Sequence, residues 1–360
     1  MEPVIKIRNK IFALAYRNIF KPVAFAIDPE KVHDWATLVG RFLGSNPITR
    51  AFTRLMFDYS HPSLEQEVLG IHFKNPIGLS AGFDKNAQLT ALMPCVGFAY
   101  EEVGSITGEP CEGNPKPRLW RHKDLKSIRV YYGLLNDGCE KIAARLQKAR
   151  FTSPVGISIA KTNNPETCET DAGIEDYVKA FKAFAHIGAY TTVNISCPNA
   201  YGGQPFTDAK KLKALLQELD KIPTKKPVFL KLSPDLSEGE LNEILDISRA
   251  HRIDGFVCTN LTKKHHFGDG GLSGKAVEAL ANAQIRTVYQ KMKGKTVIIG
   301  CGGIFSAEDA YAKLKAGASL LQLITGMIYE GPQLISEINQ GLVELMKKEG
   351  VSSVSEIKRT

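Results

Sequence analysis

The feature that most constrains this chain begins near residue 76. Eight short runs rich in Val, Ile and Leu, at 76–81, 98–104, 155–160, 191–196, 228–232, 255–259, 296–300 and 320–325, alternate with longer segments of helical periodicity such as 210–220 and 238–252. A short apolar run between turn residues reads as a strand buried on both faces, and strands alternating with helices read as parallel β/α units. Eight such units favour α/β architecture closed on itself, a (β/α)8 TIM barrel, over an open doubly wound sheet. In such a barrel the chemistry gathers at the C-terminal ends of the strands. Lys85, Ser105, Cys197, Lys231, Asn260 and Gly303 all fall at such ends.

The first 60 residues have a different pattern. Ile7, Ile11 and Leu14 form one helical stripe and Phe12, Tyr16 and Ile19 another, and Asp28-Pro29-Glu30 reads as an N-cap followed by proline at the first helical position. The expected organisation is an N-terminal helical extension over 1–60, a barrel over 61–345 and a polar, frayed C-terminal tail over 346–360. The extension either caps one end of the barrel or lies on a membrane surface, and periodicity fits both.

Composition narrows the function classes. The net charge of +8 comes from dispersed basic residues with no basic run interleaved with aromatics, so nucleic acid is not expected as a partner. The seven cysteines are scattered with no Cys-x-x-Cys pair, which points to reduced thiols rather than a metal or disulfide framework. No run reaches the roughly 18–20 apolar residues of a spanning helix, and no signal peptide is visible. A cytoplasmic protein, at most peripheral to a membrane, is expected.

Three constellations carry chemistry. Asn194-Ile-Ser-Cys-Pro-Asn199 closes an apolar run and sets a thiol between two amides. Amides orient a polar heterocycle, and a thiol with an ordinary pKa of about 8.5 moves a proton when its surroundings allow. Ile299-Gly-Cys-Gly-Gly-Ile304 and Ile324-Thr-Gly326 follow strands seven and eight, where barrels commonly bind a phosphate. Lys85 in Leu79-Ser-Ala-Gly-Phe-Asp-Lys-Asn86 and Lys231 in Phe-Leu-Lys-Leu-Ser place positive charge at the barrel mouth, which an anionic ligand makes tolerable. A phosphate site, two lysines and a thiol suggest flavin mononucleotide (FMN) and hydride transfer coupled to proton abstraction, with Cys197 as the base. His265 and His266, beside Lys263 and Lys264, read as a solvated lid rather than metal ligands, and Trp35 and Trp120 as packing residues.

These same residues resemble dihydroorotate dehydrogenases from about residue 28 to 340. The matching stretches are Ala81-Gly-Phe-Asp-Lys85, Glu102-Val-Gly-Ser105, Glu112-Gly-Asn-Pro-Lys-Pro-Arg118, the Asn194–Asn199 segment, Ser233-Pro-Asp-Leu236, Thr259-Asn260, Gly270-Gly-Leu-Ser-Gly274 and Gly300-Cys-Gly-Gly303. The resemblance implies oxidation of dihydroorotate to orotate in pyrimidine synthesis. It sets Ala81, Gly82, Lys85, Ser105, Asn194, Lys231, Thr259, Gly274, Gly302, Gly303, Thr325 and Gly326 at FMN. Lys85, Asn194, Asn199 and Asn260 would face the substrate. The extension with Asp28-Pro-Glu-Lys-Val-His33, and Arg118-Leu-Trp-Arg121, resemble the membrane-associated, quinone-reducing class, in which His33 and Arg121 would line a quinone tunnel.

The chain departs from that class at five positions. Cys197 stands where the quinone-linked class usually has serine and the soluble classes have cysteine. Val130 stands where an asparagine usually meets the substrate, although a slip of one residue would bring Arg129 there instead. Leu261 follows Asn260 where a Thr or Ser is usual. Finally, Ser158 and Ile324 replace an Asn and a Tyr near the flavin. The lost polar contacts leave open a related FMN oxidoreductase acting on another cyclic ene or enamide. A non-catalytic flavin-binding barrel is the third reading.

Overall fold

The computed structural model describes residues 2–359. All eight expected strands form: β1 (Ile77–Leu79), β2 (Tyr100–Ile106), β3 (Val155–Ile159), β4 (Tyr190–Asn194), β5 (Val228–Lys231), β6 (Gly255–Cys258), β7 (Val297–Cys301) and β8 (Leu320–Leu323). They pair in parallel, each with its neighbours in sequence, and β8 returns to β1, closing a (β/α)8 barrel. The strands are buried almost throughout, the consequence of helices packed outside and a filled interior inside.

Tyr100, Tyr190, Phe229, Val257, Ile299 and Leu320 fill the N-terminal half of the barrel, with Phe73 from the preceding hairpin (Gln66–Val68 and Ile71–Phe73) packed on Tyr100. Among these rings the Glu102 carboxylate accepts from Thr192 Oγ1 at 2.9 Å, Gln322 Nε2 at 3.0 Å and Tyr190 Oη at 3.2 Å. The barrel floor is therefore filled, and the cleft opens at the C-terminal mouth.

The extension is helical: α1 (Glu2–Ala15), a π turn (Tyr16–Phe20), α2 (Lys21–Ala26), α3 (Pro29–Gly44) and α4 (Pro47–Phe57). Asp28 caps α3 by accepting from the N–H groups of Glu30 and Lys31, and Asn46 caps α4 in the same way. Asn9 of α1 is buried and donates to Ser336 Oγ and Gln340 Oε1 of the last helix (Leu334–Lys348). Phe12 packs on Phe57, and Tyr16 Oη donates to the Ile328 carbonyl at 2.6 Å. The other stripe, Ile7, Ile11 and Leu14, faces solvent. Among the described residues, every exposed large apolar side chain except Leu69, Leu125, Phe151 and Tyr201 lies within the first 55 residues.

Three features differ from the sequence expectations. Trp35 is exposed on the apolar face rather than packed. The C-terminal segment does not fray: the last helix runs on to Lys348, Val354 and Ile357 are buried, and Arg359 donates to Ser319 Oγ at 3.2 Å. A small antiparallel sheet of Leu119–His122, Ser127–Val130 and Gly271–Leu272 stands over the barrel mouth, where no strand was expected.

Candidate active site

The strand ends, the small sheet and α3 enclose one cleft of about 1290 Å³ of empty space, part of it open to solvent. Its wall includes Ala81, Gly82 and Lys85 after β1, Ser105 in β2, and Asn194, Cys197 and Asn199 after β4. Lys231, Thr259, Asn260 and Gly274 add the next side, and Gly302, Gly303, Thr325 and Gly326 the last. His33 reaches the same cleft from α3. Arg121 does not line it: its guanidinium donates to the Ile27 carbonyl at 2.8 Å and stacks over Phe25 at 4.6 Å, tying the small sheet to the α2–α3 link.

Strand register explains the polar floor of the cleft. Pairing of β4 with β5 sets Asn194 opposite Lys231. The β2–β3 ladder shifts register between Val103 and Ile106, and within that stretch Ser105 Oγ meets Ser158 Oγ at 2.7 Å. Ser105 also accepts from Asn194 Nδ2 at 2.8 Å, while Asn194 Oδ1 accepts from Ser196 Oγ at 3.1 Å and Asn260 Nδ2 at 3.3 Å. Ser158, replacing the family's Asn, is thus absorbed into this chain of hydrogen bonds.

Lys231 is 4% exposed, and among the described residues its ammonium meets no hydrogen-bond acceptor or carboxylate. A buried cation without a partner is costly, so the site is complementary to an anion. Across the cleft, the N–H groups of Gly303, Thr325 and Gly326 find no backbone acceptor among the described residues. Close approach fixes two of these as glycine: a Cβ at Gly326 would stand 2.0 Å from the Ile304 carbonyl oxygen, and one at Gly303, where φ is +78°, 2.3 Å from Glu278 Cβ.

On the substrate side, Asn199 Nδ2 donates to the Val130 carbonyl at 2.8 Å and leaves Oδ1 buried without a partner. Val130 and Leu261 both line the cleft. Arg129 instead bonds the Phe267 and Asp269 carbonyls and stacks over Trp120 at 3.8 Å, so the one-residue slip is excluded. Phe267 is surrounded by the rings of His122, His265 and His266, which packs the 261–270 loop against the small sheet. Burial pushes the Cys197 thiol above its ordinary range, while the backbone N–H groups of Asn199 and Ala200 and the charges of Lys161 and Lys231 act against that rise.

Sequence reasoning missed Tyr132 and Lys161, and gave Phe83 no role toward His33. The Lys85 ammonium lies over the Tyr132 ring at 4.0 Å and 3.4 Å from His33 Nε2, which also meets the Phe83 carbonyl at 2.9 Å. Burial lowers Lys85 to about 8, and burial with the Lys85 charge lowers His33 to about 4, so the imidazole is neutral at neutral pH.

Comparison with known proteins agrees with this geometry. The family model for dihydroorotate dehydrogenase matches residues 63–346. A protein of Nautilia profundicola named dihydroorotate dehydrogenase (quinone) is 36% identical over 354 residues, covering 95% of this chain and 96% of its own length. One of the same name from Sulfurovum sp. is 38% identical over 342 residues, covering 93% and 96%. Crystal structures of Eimeria tenella DHODH superpose with TM-scores of 0.82 for the ferulenol complex and 0.83 for the ligand-free form. Their identities to this chain are 26% and 27%; 92% of it is covered in each case, against 95% and 98% of theirs. The chain belongs to the dihydroorotate dehydrogenase family.

Proposed function

We infer that this protein oxidises dihydroorotate to orotate, a step of pyrimidine synthesis, and passes the electrons to a quinone, with FMN as its resident cofactor. One observation carries the reading. At the C-terminal mouth of a barrel of this family, a buried unpaired Lys231, the open N–H groups of Gly303, Thr325 and Gly326, and Cys197 between amides converge on one cleft. That donor set fits a flavin mononucleotide, with Gly302, Gly303, Thr325 and Gly326 toward its phosphate. Ala81, Gly82, Lys85, Ser105, Asn194, Lys231, Thr259 and Gly274 would be placed toward its ring.

When bound, FMN supplies a two-electron acceptor for a hydride. Turning a CH–CH bond into C=C releases a hydride from one carbon and a proton from the next, and Cys197 Sγ, as thiolate, takes the proton. Lys85 holds the substrate's carboxylate by charge, and the amides of Asn194, Asn199 and Asn260 orient its ring.

Among the described residues no helix is long and apolar enough to cross a membrane. The exposed apolar side chains of α1 to α4 support peripheral contact with a membrane, from which a quinone would reach the cleft beside His33. Arg121 then serves the quinone path by holding the α2–α3 link rather than as a lining residue.

The test is anaerobic titration of the flavin-loaded protein with dihydroorotate, followed by a quinone, in the wild type and in Cys197→Ala. Bleaching of the flavin and its recovery on quinone addition are expected, with reduction at least about 100-fold slower in the variant. A second reading, oxidation or reduction of another cyclic ene or enamide, is favoured by the apolar Val130 and Leu261 in the wall. Under that reading the flavin stays oxidised with dihydroorotate. A non-catalytic barrel predicts that Cys197→Ala changes nothing.

A further inference from the structure

Behind Cys197, a narrow second cavity with room for roughly one water is lined by Lys161, Tyr177, Gln204 and Cys197 itself. Lys161 follows β3, is 3% exposed, and donates to Thr167 Oγ1 at 3.2 Å and to the Tyr201 carbonyl at 3.0 Å. It forms no ion pair among the described residues. The neighbouring acid, Asp176, is already engaged: its oxygens accept from Thr162 N at 2.7 Å, Thr162 Oγ1 at 2.7 Å and Gly108 N at 3.2 Å.

Two hydrogen bonds to a hydroxyl and a carbonyl do not need an ammonium, since a neutral amide donor would make them without the cost of a buried charge. We propose that Lys161 is a positioning residue for proton transfer, its charge stabilising the Cys197 thiolate relative to the thiol from behind the cleft. This rests on the reading of Cys197 as the proton acceptor. Lys85 and Lys231 lie on the ligand side, where anionic ligands share their charge. Lys161 faces Cys111, Cys168, Asp176 and Cys197, and of these only Cys197 also lines the cleft on which the substrate side chains converge.

Cys197 in turn faces Lys161, Lys231, the phenol of Tyr177 and the N–H groups of Asn199 and Ala200. The choice of thiol gives the lysine its importance. A serine hydroxyl titrates too far above neutral pH for one charge to populate its anion, whereas a thiol, even one pushed up by burial, lies close enough for a neighbouring charge to change its thiolate fraction. The step balances simply: the thiolate takes the C–H proton and becomes a thiol, the electron pair of that bond becomes the second bond of C=C, and the hydride leaving the neighbouring carbon would go to the FMN.

The experiment measures flavin reduction by dihydroorotate against pH in stopped flow, using FMN-loaded wild type, Lys161→Gln, Lys161→Met and Lys161→Arg. Alkylation of Cys197 by iodoacetamide, read by mass spectrometry, gives a second profile that needs no turnover. Both neutral variants should move the limb that reports Cys197 up by about one pH unit, slowing reduction about tenfold below it, with the arginine variant near wild type. Gln keeps a donor for Tyr201, and Met removes it, so at least one neutral variant separates charge from folding. A limb that stays in place in the neutral variants, or that moves as far with arginine, overturns the inference. Cys197→Ala run alongside separates the two readings. If it reduces flavin normally, the role of Cys197 fails; if it does not reduce flavin and the limb still ignores Lys161, only the lysine's role fails.

Discussion

Removing Glu30 should loosen α3 against the barrel without harming the barrel's own chemistry. Arg118 donates to Glu30 through Nε at 3.1 Å and through its terminal nitrogen at 2.8 Å, and both side chains are only 7% exposed. The other arm of the guanidinium is fixed by the Glu112 and Asn114 carbonyls at 2.9 Å each, so Arg118 has no route to water when its partner goes. Lys116 also reaches Glu30 at 3.3 Å but is largely exposed and contributes little. Stranding a buried charge costs about 3–5 kcal/mol, which is roughly two to three and a half orders of magnitude in the opening equilibrium of α3. Hydrogen exchange over α3 in Glu30→Ala should lose protection by that factor. Flavin reduction by dihydroorotate should stay within a few-fold of wild type while reoxidation by quinone slows. Glu30→Leu combined with Arg118→Met should recover at least half of the loss, because no charge is stranded. Protection within threefold of wild type in Glu30→Ala, or a double variant as labile as the single, would refute the reasoning.

The remaining predictions are narrower. The unfolded chain protonates His33 at about 6.5 and the folded protein only at about 4, so this stability is complete above the higher value and is lost as pH falls through the lower. The gap corresponds to roughly 3 kcal/mol, and His33→Gln should flatten the denaturation midpoint between pH 7 and 4; an unchanged slope counts against the assignment. Gly326→Ala, whose Cβ would stand 2.0 Å from the Ile304 carbonyl oxygen, should lose FMN affinity about 10- to 100-fold, read as flavin content after dialysis. Full flavin retention would mean the turn can yield. Tyr132→Phe removes a buried hydroxyl that has no partner among the described residues and should be neutral or stabilising by about 1 kcal/mol in denaturant unfolding, whereas a clear loss would reveal a partner.

The barrel was legible because parallel strands covered on both faces write themselves as unbroken apolar runs, and all eight were found within a few residues of their ends. The cleft was legible because a barrel puts loop residues of distant sequence at one mouth, so motifs after successive strands had to meet. The small sheet left no such signal. Leu119–His122 has no buried face, and the strand exists only because the chain bridges back through Ser127–Val130 to Gly271–Leu272. The tail misled through composition, since Val354 and Ile357 are single apolar residues in a polar segment, yet each finds a buried seat. Lys161 was findable in principle: it follows an apolar strand just as Lys231 ends one, and the same objection to a charge at a barrel mouth applied to both.

The extension is more than a cover, and the reason lies in helix geometry. Glu30 and His33 stand three residues apart on α3 and so share a face. The first is clamped by Arg118, and the second is thereby held against the Phe83 carbonyl and the Lys85 ammonium. One ion pair outside the cleft thus fixes the position of a wall inside it. The family model begins at residue 63, and a barrel built from that point would contain every residue proposed to hold the flavin and move the proton. It would lack the neutral imidazole that borders Lys85 and the apolar face of α1 to α4. On the proposed function, substrate oxidation would belong to the barrel, whereas access for an apolar electron acceptor would depend on residues of both parts, with α3 joined to the barrel through Glu30 and Arg118.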